Sequence, residues 1–127
     1  MNELRTPLKK ALGLGSARQG AHHFIVQRLT ALALALLALW FLWIALNVLH
    51  LDYAGARALI AYPLNALLML TFIIMAFWHA QLGLQVIIED YVKPAGSRLS
   101  LQIAVKFLCF LGAAMGALAV IRIALGH

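Results

Sequence analysis

One cysteine, Cys109, cannot form an intrachain disulfide or hold a metal cluster, so this 127-residue chain is neither a disulfide scaffold nor an iron–sulfur protein by itself. Lying among apolar neighbours, Cys109 reads as a packed thiol. Charge is scarce too: four acids, ten lysines and arginines, and 11% charged residues in all, far below soluble practice. Between Ala58 and Ile88 no side chain carries a permanent charge, which leaves His79 isolated in a stretch long enough to cross a bilayer. What fills the chain instead is apolar: 65% hydrophobic residues and a mean hydropathy of +0.94 describe an integral membrane protein of one domain. The net charge of +6 is spread over tails and loops around apolar segments, so it forms no surface for nucleic acid.

The pattern predicts an all-α protein with three transmembrane helices that form part of a larger helical bundle. Residues 1–28 carry Arg5, Lys9, Lys10, Arg18 and Arg28 against the single acid Glu3, and read as a tail. No short apolar core with a small-residue cleavage site follows, so the tail is expected to be retained rather than removed as a targeting peptide. Residues 29–127 form the anchor domain. Its first span is expected at about 29–49, some 31 Å of helix at 1.5 Å per residue. A short polar connector with His50, Asp52 and Arg57 leads to a second span at about 63–92, bracketed by Pro63, which suits a first helical turn, and Pro94, before which helices stop. The third is expected at about 99–125. Its Lys106 and Arg122 can snorkel outward, and the spacing from Gly112 to Gly116 permits close helix approach, with packing inside the chain the plainer reading. Basic residues before the first span and after the second place both regions on the cytoplasmic side.

The stretch F-W-H-A-Q-L-G-L-Q-V-I-I-E-D-Y-V-K-P, Phe77 to Pro94, organises the rest. At 100° per residue, His79, Gly83 and Asp90 share one stripe, the histidine deep and the Asp90–Tyr91 pair at the rim roughly 17 Å away. A lone histidine in a span can be a packing residue, a proton relay or an axial haem ligand. Gly83, one turn along, removes bulk where a flat ring would lie. His22, His23, His50 and His127 all sit outside this depth, so a haem with two histidine ligands would draw its second from another chain. Tyr91 offers a phenolic donor and Asp90 an acceptor, roles that suit a quinone carbonyl; the plainer reading makes them an aromatic-belt anchor and a solvated helix end.

The segment from His79 to Pro94, together with G-A-H-H-F-I-V-Q-R-L-T-A from Gly20 to Ala31, resembles the hydrophobic membrane-anchor (D) subunits of succinate dehydrogenase. The resemblance implies a non-catalytic subunit of the succinate:ubiquinone oxidoreductase, respiratory complex II, in the bacterial inner membrane with a cytoplasmic N-terminus. It assigns His79 as an axial ligand to the iron of haem b, shared with a cytochrome b556 (C-type) anchor subunit. Arg28 and His22 fall near the haem propionates, and Tyr91 with Asp90 at the ubiquinone site. Other implied partners are a flavoprotein subunit and an iron–sulfur subunit. His23 stands where family members can have aspartate, and Lys106 matches no family role. A fumarate reductase anchor, another b-haem membrane oxidoreductase and a non-redox scaffold remain as alternative expectations.

Overall fold

In the computed structural model, residues 17–126 are described, with side chains from residue 20 onward; the basic residues expected in the first sixteen positions, the Arg18 side chain and His127 lie outside them. Four helices follow in order: α1 (Ala17–Val48), α2 (Tyr53–Ala61), α3 (Pro63–Tyr91) and α4 (Ala95–Ala124). Helices α1, α3 and α4 are long and apolar enough to cross a membrane, as the uncharged runs predict.

The helix ends differ from the expected spans for local reasons. Helix α1 begins twelve residues before the predicted 29, because Ala17–Arg28 contains no proline and only Gly20 to weaken a helix. The connector after α1 holds a helix of its own, started by Asp52, whose carboxylate accepts from the Gly55 N–H at 2.8 Å. Pro63 occupies the first turn of α3, as expected, and Asn65 Nδ2 reaches back across the break to the Leu59 carbonyl at 2.8 Å. Pro94 both stops α3 and caps α4, so Gly96, Ser97 and Arg98 lie within α4 rather than in a connector.

Helix α3 is central: it packs on α1 along one side and on α4 along the other, and among the described residues α1 and α4 do not meet. The two seams are built differently. Toward α4, Gly112 and Gly116 open a groove in which Phe77 and Ile73 lie; a Cβ on Gly112 would collide with the edge of the Phe77 ring, and one on Gly116 would stand 2.9 Å from Ile73 Cγ2. The small-residue spacing therefore serves packing within the chain, the plainer of its two readings. Toward α1, Phe41 stacks on Phe72 with centroids 4.8 Å apart, and one polar pair bridges the helices, described below. The apolar residues fully enclosed by the chain itself are few, Ile44, Leu82, Ile88 and Val120 among them. In lipid this carries no penalty, since acyl chains solvate an outward leucine as well as a protein interior does.

Candidate functional site

His79 lies half-buried in α3 facing α1, where its ring meets Thr30. Thr30 is the one buried polar residue among the described residues, at 4% exposure. Its hydroxyl donates to the Gln27 carbonyl at 3.0 Å and lies 2.9 Å from His79 Nδ1. A carbonyl only accepts, so both contacts are hydrogen bonds at once in a single arrangement: the hydroxyl proton goes to Gln27 and the oxygen accepts from Nδ1–H. The lone pair of the imidazole is then on Nε2. Around the ring, Phe24, Gln27, Arg28 and Ala31 join His79 in lining a cavity of about 340 Å³. Arg28 is held there by its position over the Phe24 ring, 4.9 Å from the centroid, an attraction between a cation and the negative face of the ring. A Cβ added at Gly83 would meet nothing within 4 Å among the described residues, so none of them fills the space that glycine leaves.

The predicted residues therefore divide into three places. Arg28 and His79 share one cavity. His22 lies instead beside a larger cleft of about 660 Å³ toward the start of α1, with His23, Trp78, Gln85 and Glu89 around it. In that cleft His23 Nε2 is shielded from solvent and has no hydrogen-bond partner among the described residues. Asp90 and Tyr91 stand apart from both, in the last turn of α3 roughly 17 Å along the axis from His79, and the Tyr91 side chain is 81% exposed. Among the described residues no three His, Cys, Asp or Glu side chains converge to hold a metal ion, and His79 is the one histidine of α3.

Three contributors escaped the sequence reading. Thr30 is a hydroxyl in an apolar run and carries no mark of its partner forty-nine positions on. Arg98, counted only as a topogenic charge, donates through Nε to the Val92 carbonyl at 3.1 Å and through a terminal nitrogen to the Lys93 carbonyl at 3.0 Å, which braces the chain just after Tyr91. Glu89 receives Gln85 at 2.9 Å and Gln102 at 3.1 Å, tying the same end of α3 to α4.

Residues 2–113 match the model of the succinate dehydrogenase/fumarate reductase transmembrane subunit. The chain belongs to that family. Within it, the chain is similar to the succinate dehydrogenase hydrophobic membrane anchor subunit of Rickettsia bellii, 38% identical over 109 residues that cover 86% of this chain and 87% of the relative. The subunit of the same name from Rickettsia conorii is 32% identical, covering 84% and 86%, and that of Coxiella burnetii 34% identical, covering 73% and 81%. Membership in a family of transmembrane subunits agrees with the three bilayer-length helices and with a multi-pass membrane protein.

Proposed function

We propose that the chain is the D-type anchor of a succinate:ubiquinone oxidoreductase in a bacterial inner membrane, where His79 would supply one of the two protein nitrogens that hold a shared haem b. The observation that carries this reading is the Thr30–His79 pair: with Nδ1 donating to the hydroxyl, Nε2 is the nitrogen free to bind iron. The surroundings fit a haem. Arg28 lines the same cavity and offers a guanidinium for a propionate, and Gly83 leaves unfilled space on the histidine's stripe. Bound there, haem supplies a one-electron centre inside the membrane.

The chain's own share is to fix the imidazole, to offset propionate charge in a low-dielectric setting and to present Tyr91 and Asp90 at the rim. Tyr91 donates its phenolic hydrogen to a ubiquinone carbonyl, and Asp90 beside it shapes the polarity of that site. His22, in the neighbouring cleft, is within the same half of α1 as Arg28 and serves the propionate side. Both Asp90 and Tyr91 are solvent-facing here, which suits a site completed by other subunits. The second nitrogen would come from the C-type anchor, and succinate oxidation from the flavoprotein and iron–sulfur subunits. The named relatives favour succinate dehydrogenase over a fumarate reductase anchor, although the family model spans both. The N-terminus is cytoplasmic on this reading, because five basic residues lie within the first 28 positions, before the uncharged run of α1.

The test is the His79→Ala complex purified from native membrane. Loss or alteration of the low-spin haem bands is expected; bands unchanged from those of the parent complex would remove His79 as a ligand and leave a scaffold role for α3.

A further inference from the structure

We infer that Thr30 is the positioning residue for His79: it fixes the tautomer and rotation of the imidazole and thereby sets the electron donation of Nε2. The inference rests on the reading of His79 as a haem ligand and adds a residue to it. Four observations support it. Thr30 comes from a different helix, so its bond ties the ring to α1 rather than to the helix that carries the ring. It is 4% exposed, so water does not compete for the hydroxyl. Its proton is committed to the Gln27 carbonyl at 3.0 Å, which locks the hydroxyl orientation and leaves only an acceptor toward Nδ1. In a helix a threonine has two favoured settings of its first torsion, and the bond to the Gln27 carbonyl selects the one that puts the oxygen on the seam.

The hydroxyl has no need of His79 for its own sake, because the Gln27 carbonyl already satisfies its donor. The imidazole is the group that gains. Without an acceptor on Nδ1, the ring is free to rotate about its own axis and to carry its proton on either nitrogen, and only one of those forms can bind iron. An acceptor on the far nitrogen of a metal-bound imidazole also raises its basicity, which favours the more positive oxidised metal. Removing the hydroxyl should therefore raise the haem midpoint potential as well as weaken retention of the haem.

The experiment compares purified complexes carrying Thr30→Val and Thr30→Ser by haem content, low-spin bands and optical redox titration. Valine keeps the shape and deletes the acceptor; serine keeps the acceptor and deletes a methyl. For Thr30→Val the expected result is about a tenfold or greater loss in haem affinity, the range found for partners of metal-bound histidines, with a higher midpoint potential. Thr30→Ser should return both toward the parent values. Parent potential and retention in Thr30→Val would overturn the inference, as would equal damage in both variants, which would make Thr30 a packing residue. If Thr30→Val does not assemble, Thr30→Ala removes the hydroxyl with less bulk toward the ring and is read by the same criteria. The His79→Ala complex separates the two levels: unchanged haem there defeats the ligand assignment itself, whereas altered haem there with a silent Thr30→Val defeats only the role of Thr30.

Discussion

The two seams of α3 solve opposite problems. Along α4, glycines cut a groove and the ring of Phe77 fills it, leaving no room for even one more carbon. Along α1, the helices are held by one aromatic stack and one polar pair, and cavities of about 340 and 660 Å³ open beside the contact. A seam packed to its limit can only be structural. The looser seam keeps space and unpaired polar atoms, such as His23 Nε2, that this chain does not use for itself. In a protein whose helices gain nothing by hiding leucines from lipid, close packing on one side frees the other for a shared site.

Substitutions at the two kinds of glycine should break this contrast most sharply. Gly112→Leu forces a branched side chain into the Phe77 ring, and we expect separation of α3 from α4 at a cost of at least about 3 kcal/mol, at the upper end for overpacking. Gly83→Ala meets nothing within the chain and should stabilise the helix by roughly 0.5–1 kcal/mol. Thermal melts of the purified subunit in detergent check both; equal losses would mean that the seams do not differ. Tyr91→Phe sharpens the comparison at the functional end. Deleting one donor to a buried acceptor costs about 1–3 kcal/mol, so quinone-linked turnover should fall roughly ten- to a hundredfold while succinate oxidation with a soluble artificial acceptor holds. Equal retention of both rates at limiting quinone would place Tyr91 in the aromatic belt instead. A small loss is expected for Phe72→Leu, which removes the stack on Phe41 but keeps the apolar bulk. A loss of about 0.5–1.5 kcal/mol in the same melts is the expected reading.

The long helices were legible because a run of twenty uncharged residues in this composition has few other uses, and Pro63 and Pro94 mark where the second must begin and end. Their exact reach was not. Nothing apolar announces that Ala17–Arg28 continues α1, and α2 depends on a single capping carboxylate, Asp52, which in sequence looks like any loop acid. The candidate site was legible where one residue type is rare: His79 stands out by isolation, and Arg28 by its place in a motif. Their meeting in one cavity required α1 and α3 to pair in the register that puts Thr30 beside His79. That register is set by contacts between residues dozens of positions apart, such as Phe41 with Phe72, and no local pattern encodes it. For the same reason Gly112 could be read as a close-approach residue, but the ring that fills its groove could not be named.

The bond from Thr30 to the Gln27 carbonyl also bears on how the protein is made. Asn47 bonds to the Trp43 carbonyl at 2.7 Å, Thr71 to Leu67 at 2.8 Å and Ser100 to Gly96 at 3.0 Å, so these polar side chains, like Thr30, are each satisfied within their own helix. Such a side chain can leave the ribosome and enter lipid with its helix, since its hydrogen bond does not wait for a helix not yet synthesised. His79 differs. Its Nδ1–H finds an acceptor only on α1, which is already in the bilayer when α3 arrives. The order of synthesis thus presents a waiting oxygen to the incoming imidazole, and the ring is seated by the newborn chain before any other subunit has to be present.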